Sequence, residues 1–230
     1  MGIFDFLKNK VKLIDEKSEN IVLPKKEELK FNLDSIQNEI FQFLKPLGFQ
    51  KKGRTFNRQT EDGIYQVINI QSGQVYSTLY GSFTINLGIM VKEIYELESY
   101  NKPKEFYQDY DCQIRERLSN LTNKNDFWWL ISDNAENTAK KINQGLNSKG
   151  IEWLNALETR KKIVNNWVAM ADSNSPRAKL DIAIIYLGLE RENGIKLIND
   201  YYKNIKNKST HKDYVKELAE KLNIKLKKTI

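Results

Sequence analysis

Gly81-Ser82-Phe83-Thr84-Ile85-Asn86-Leu87-Gly88-Ile89-Met90-Val91 alternates between two kinds of side chain. Along an extended chain successive side chains point to opposite faces. Phe83, Ile85, Leu87, Ile89 and Val91 therefore share one face, and Ser82, Thr84, Asn86 and Gly88 share the other. This pattern predicts an antiparallel strand with one face on a core and one nearer water.

The flanking segments extend the sheet. Ile64 to Ile70 reads as the preceding strand and Arg54 to Gln59 as the one before it. Asp62-Gly63 between the two is a hairpin signal. Upstream, Ile36, Ile40, Phe43, Leu44 and Leu47 recur at helical spacing, with Asp34 placed to cap the start and Gly48 the end. Downstream, Asp111 to Leu118 and Phe127 to Ile131 read as two further strands, with Cys112, Ile114 and Leu118 facing inward. Asp133 and Glu136 resemble a capping box that opens a helix carrying Ala139, Ile142 and Leu146, with Gly150 bending or ending it. The rest reads as helices over 151–171, 177–191 and 195–205, and a last one capped by Ser209 or Thr210. Ser175-Pro176 signals the start of the second of these, and Asn193-Gly194 the turn after it. The expected class is α+β: an antiparallel sheet of four to five strands with helices on one face, then an all-helical C-terminal module. The expected divisions are a charged arm over 1–30, an α+β domain over 31–160 and a basic helical module over 161–230.

The 230 residues carry a net charge of +7, unevenly spread. Residues 31–160 hold 15 basic and 16 acidic groups, whereas residues 161–230 hold 15 basic and 8 acidic. The surplus in the last third favours an acidic partner, whether protein, nucleic acid or anionic membrane, or simply keeps helices soluble. No apolar run reaches the roughly 18 residues of a membrane span. The start, Met1-Gly2-Ile3-Phe4-Asp5-Phe6-Leu7, is too short in its apolar part for a secretory signal. It reads as a short amphipathic helix lying on a membrane, a small helix docked on the domain, or a frayed end. A single cysteine, Cys112, allows no internal disulfide and is consistent with the cytoplasm.

Several residues are candidates for chemistry. Lys51, Lys52, Arg54 and Arg58 surround Phe56, and strand geometry puts Arg54, Phe56 and Arg58 on one face. Such a face stacks bases or clamps phosphates; alternatively Phe56 enters the core and the arginines pair with Asp109, Asp111 or Glu116. Arg115 and Arg117 project from the strand face opposite Ile114, ready for a carboxylate or phosphate or simply solvated. Trp128 and Trp129 are adjacent, so they point to opposite faces, one to a core and the other to a second layer or an interface. His211, the only histidine, shows no orienting partner and is expected at the surface. Cys112 reads as a small buried hydrophobe, and Glu93, Glu96 and Glu98 as a solvated run. No cofactor and no metal site is expected, and no phosphate loop or nucleophile elbow is present.

The central region resembles an uncharacterised bacterial family, a domain of unknown function with the pattern LGFxKKGxTFxR, DGIYQVIN, FTINLG, DCxIRxRL and WW in order. Here those segments are Leu47 to Arg58, Asp62 to Asn69, Phe83 to Gly88, Asp111 to Leu118 and Trp128-Trp129. The resemblance spans roughly residues 34–160 and brings no activity or catalytic residue. The expectation is a non-catalytic binding protein, an immunity or antitoxin-type factor that neutralises a protein partner. The alternative is a nucleic-acid binder using an arginine-bearing sheet face and the basic tail.

Overall fold

The computed structural model describes residues 26–74, 77–98, 102–123, 125–131, 134–170, 176–205 and 209–227. The reading of the first residues, and the roles of Asp133 and Ser175, lie outside them.

The chain begins with α1 (Lys26–Leu44), which runs on into a tight turn at Lys45–Leu47. The helix starts before Asp34, inside the segment expected as an arm, because Leu29 and Leu33 extend the helical spacing of Ile36, Ile40 and Leu44 backward. All five are buried. Four strands follow as a meander: β1 (Gln50–Lys52), β2 (Thr55–Glu61), β3 (Ile64–Ser72) and β4 (Ser82–Val91). The β2–β3 turn places Gly63 at φ 78°, a left-handed conformation that a side chain would strain. A short helix α2 (Lys92–Leu97) leaves β4, and the chain returns as β5 (Ile114–Arg117), α3 (Leu118–Asn123) and β6 (Trp129–Leu130). The sheet order is β1-β2-β3-β4-β5, with β6 also pairing on β4. All pairs are antiparallel.

Register assigns the faces. Phe56 stands opposite Ile68 and Ile68 opposite Leu87, while Ile70 faces Ile85 and Ile64 faces Val91. These side chains form one apolar face, covered by α1, α4 (Ala135–Gly145) and α5 (Ile151–Asn155). Burying each such side chain contributes about 1.5–3 kcal/mol. A wide turn at Leu146–Gly150 joins α4 to α5, so Gly150 bends the helical path without ending it.

The opposite face is not open to water. Every residue of β4 is buried, Thr84 at 0% and Asn86 at 7% exposure. The expectation of a wetter second face fails because the segment 104–113 folds back across it. Val67, Met90, Tyr95, Tyr107 and Cys112 form a small second core there. Asn57 fastens the cover from both sides: its Nδ2 donates to the Tyr107 carbonyl and its Oδ1 accepts from the Tyr107 amide, each at 2.8 Å. Thr55 Oγ1 reaches Gln108 Oε1 at 2.7 Å and accepts from Asn69 Nδ2 at 2.9 Å. Thr55, Asn57, Asn69 and Asn86 thus belong to a hydrogen-bonded layer, as buried polar groups generally require, while Thr84 Oγ1 has no hydrogen-bond partner among the described residues. Cys112 belongs to this layer, not to the Ile114 face, since the strand begins only at Ile114. A Cβ on Gly88 would meet Cys112 Sγ at 2.6 Å, so the close approach needs glycine.

The C-terminal helices are α6 (Arg160–Met170), α7 (Pro176–Leu189), α8 (Arg191–Asn204) and α9 (Thr210–Lys221). The helix expected over 151–171 is interrupted before Arg160, whose guanidinium ties α6 to the β2–β3 hairpin. The turn between α7 and α8 falls at Glu190; Gly194 lies inside α8, packed on Leu187. Ser209 caps α9 by accepting from the Lys212 amide at 3.2 Å. Leu180, Ala183 and Ile185 of α7 are fully buried, and the apolar cluster runs from the sheet into these helices. No helix among the described residues is long and apolar enough to cross a membrane.

Candidate functional site

A polar cleft of about 370 Å³ lies on the second face at the β5 edge. β4 supplies Asn86, β3 Gln71, the covering segment Asp109, and β5 with α3 supplies Arg115, Glu116, Arg117 and Asn120, while Asp126 closes one side. The geometry follows from register, since Arg117 stands opposite Asn86 and Arg115 opposite Gly88. Asn86 Nδ2 donates to Gln71 Oε1 at 2.9 Å and to Asp109 Oδ2 at 3.2 Å, so the floor of the cleft is a chain of amides and a carboxylate.

The two arginines differ. Arg117 forms an ion pair with Asp126, and its guanidinium lies 5.6 Å from the Trp128 ring centroid. This contact stacks a cation on an aromatic face. The Arg115 side chain is exposed and makes no hydrogen bond or ion pair with a described residue. Glu116 Oε1 accepts from its neighbour's amide and from Asn120 Nδ2, both at 2.8 Å, which holds the start of α3. The lining thus sets three carboxylates against two guanidiniums.

The remaining candidate residues lie elsewhere. Arg58 and Phe56 do share a face, but it is the helix-covered one. Arg58 donates to Gln66 Oε1 at 2.6 Å and 3.0 Å, to the Leu47 carbonyl at 2.9 Å and to Asn155 Oδ1 at 2.8 Å. It also lies 4.8 Å from the Phe49 ring centroid. Burial lowers its pKa from the ordinary value, opposed by the charge of Glu158. Its partners are neutral groups, not the acids expected for it. Arg54 sits in the β1–β2 turn and donates to Ser72 Oγ at 3.0 Å. Lys51 donates to Asn38 Oδ1 at 2.8 Å, and Lys52 is exposed on β1 at the far edge of the sheet. A single arginine-bearing face combining Arg54 and Arg58 with Arg115 and Arg117 is therefore corrected: register puts Arg58 and Arg115 on opposite sides of the sheet.

Trp129 packs on Phe83 at 5.9 Å and on Phe127 at 4.6 Å between ring centroids, against the main core, while Trp128 turns to Arg117. His211 is half-buried, and Tyr201 meets its Nε2 at 2.5 Å, contrary to the expected free surface placement. Glu93, Glu96 and Glu98 are not a solvated run; they pair with Arg160, Lys92 and Arg177. Cys112 is buried, and burial above all pushes its thiol pKa well up, which suits a packing residue and not a nucleophile. No group of three or more potential metal ligands occurs among the described residues. Gln71 and Asp126 were missed in the sequence, and Asp109 was named only as a pairing partner for Arg54 and Arg58. Only the polar half of the β-strand alternation pointed to Asn86.

Fold and cleft together define an α+β protein with a mixed-charge cleft at the terminal strand of its sheet. The chain belongs to the family described as Domain of unknown function (DUF4304), whose model matches residues 40–156. That span runs from within α1 to just beyond α5 and contains the whole cleft. No curated protein and no solved structure matches the chain.

Proposed function

We propose that this is a non-catalytic, cytoplasmic binding protein that engages a protein partner through the β5 edge, in the manner of an immunity or antitoxin factor. The observation that carries the reading is the exposed Arg115 guanidinium, unpartnered among the described residues, beside the Arg117–Trp128 stack. Arg and Trp are the residue types that dominate binding energy at protein interfaces. A preformed stack costs little conformational entropy to engage. Arg115 offers a bidentate seat for a partner carboxylate, and Asp109 and Asp126 offer seats for partner amines. The basic surplus of residues 161–230 favours a partner that is acidic overall.

The same lining favours protein over nucleic acid. A phosphate entering the cleft meets Asp109, Glu116 and Asp126 as well as the arginines. The test is affinity capture with the full chain from its native host, wild type beside Arg115→Glu and Trp128→Ala. Recovery of one protein that both variants lose supports the reading. Recovery unchanged by the variants, or recovery only of nuclease-sensitive material whose binding falls steeply with salt, rejects it.

A further inference from the structure

A second cleft, of about 570 Å³, lies between the segment 104–113 and α7. Its walls include Tyr95, Lys104, Tyr110, Asp111, Arg177 and Asp181. It is separate from the β5-edge cleft, with which it shares no lining residue.

Two features give it a chemical preference. The first is Asp181, only 2% exposed yet part of the cleft wall. Its Oδ1 accepts from Arg177 Nε at 2.8 Å, while Oδ2 accepts from no described residue. Arg177 is shared, since its Nη2 donates to Glu98 Oε1 at 2.8 Å. The second is that the cleft already holds a cation of its own. Lys104 Nζ donates to both Asp111 oxygens at 2.8 Å and 3.0 Å. It also lies 5.4 Å from the Tyr95 ring centroid and 5.7 Å from that of Tyr110. Carboxylate below and aromatic faces around is the arrangement that recognises ammonium groups. The Lys104 side chain is 39% exposed, so it can be displaced, and Tyr110 stands 71% exposed at the rim. With Glu98, Asp111 and Asp181 against Lys104 and Arg177, the carboxylates outnumber the cations.

We propose that this cleft binds a small organic cation, an alkylammonium or alkylguanidinium group, seated between the Tyr95 and Tyr110 rings and the carboxylates of Asp111 and Asp181, where Lys104 is the resident competitor. The apolar arm of such a ligand lies along the tyrosines and its charge meets the free Asp181 oxygen.

The experiment titrates the full chain with n-butylammonium and with n-butylguanidinium, with butyrate and n-butanol as controls, read by amide chemical shifts. The expected result is saturable shifts at Tyr110, Gln113 and Arg177 with at least one of the two cations only. Lys104→Ala tightens the cation several-fold by removing the competitor, whereas an anion site would lose affinity. Tyr110→Ala, at an exposed position that leaves the fold intact, weakens the cation several-fold, and Asp181→Asn weakens it at least tenfold. Butyrate shifts equal to those of the cations, no saturation with either cation at millimolar concentration, or weaker cation binding in Lys104→Ala each overturn the proposal. Should Asp181→Asn fail to fold, the Lys104 and Tyr110 variants decide alone.

Discussion

Arg160 holds Glu93 in a two-pronged ion pair, Nε to Oε1 at 2.7 Å and Nη2 to Oε2 at 2.8 Å. Its remaining nitrogen, Nη1, reaches Glu61 Oε1 at 2.8 Å and the Asp62 carbonyl at 2.7 Å. One guanidinium therefore joins α6, α2 and the β2–β3 hairpin. The planar fork makes this possible; an ammonium cannot serve three directions in the same plane. Its side chain is only 19% exposed, so water competes weakly for these bonds.

Arg160→Ala is expected to cost about 2 kcal/mol, the scale of losing a partly buried, charge-assisted pair. Arg160→Lys should recover less than half of that. Urea denaturation followed by circular dichroism measures both, and an unchanged midpoint in Arg160→Ala would show that the fork contributes nothing net.

Arg58 and Arg115 should separate stability from binding. Arg58→Ala strips hydrogen bonds from Gln66, Asn155 and the Leu47 carbonyl beneath the helices, a loss of about 2–3 kcal/mol. Arg115→Ala touches no described partner and should stay within about 0.5 kcal/mol of wild type. Thermal melts of the two variants side by side make the comparison, and equal destabilisation contradicts the assigned faces.

Gly88→Ala should be strongly destabilising, because the added Cβ falls 2.6 Å from Cys112 Sγ and 2.9 Å from its Cβ. Overpacking of this kind costs about 1–3 kcal/mol. Cys112→Ala combined with Gly88→Ala removes the sulfur and should restore part of the loss. A double-mutant cycle with no coupling between the two positions would reject the contact.

Asn57→Ala should release the cover of the second face. Both of its bonds to the Tyr107 backbone disappear, and each leaves a buried peptide group unsatisfied. The readout is thiol labelling of Cys112, expected to be slow in wild type because the group is buried and burial raises its thiol pKa. Labelling should be at least tenfold faster in Asn57→Ala, while a rate equal to wild type means that Asn57 is not the fastener.

Asp181 sets a pH dependence. Burial, opposed by Arg177 on its own helix, raises its carboxyl pKa to about 6, with Glu98 of the α2 end adding to the rise. Tyr201 of α8 also interacts with Asp181, and its own pKa is raised chiefly by burial. The folded state then binds a proton that the unfolded state has released between about pH 4 and pH 6. By linkage, this group makes the protein less stable as pH rises through that window, by up to about 3 kcal/mol, and pH-independent above it. Denaturation at pH 4.5 and pH 7 in wild type and Asp181→Asn isolates the effect, and identical pH slopes in the two would dismiss it.

The fold was largely legible. The alternation of Phe83 to Val91 and the Asp62-Gly63 turn depend only on neighbours in sequence; both hold as strand and turn, although the polar face of the strand is covered and not wet. β1 was missed because Gln50-Lys51-Lys52 has no apolar pattern and is held only by pairing with β2. The start of α1 was placed too late because Asp34 imitates a cap in the middle of a helix that Leu29 and Leu33 continue. Half of the β5-edge site was legible, since Arg115, Arg117 and Trp128 were singled out. The amide floor of that site, Gln71 and Asn86, and the Asp181 cleft come from segments far apart in the chain, and no local pattern carries that proximity.

What the chain by itself determined is local: which residues alternate, where a turn bends, where helices repeat and how charge is divided along its length. These follow from backbone geometry and the partition of side chains between water and a core. Only the tertiary structure decided that the polar face of the sheet is roofed by residues 104–113, that Arg58 is walled in while Arg115 is free, and that Asp181 meets Lys104 and Tyr110 across a cleft. The reason is that burial and pairing of a charge depend on what lies across space, and a folded chain brings together residues whose separation in sequence says nothing of their distance.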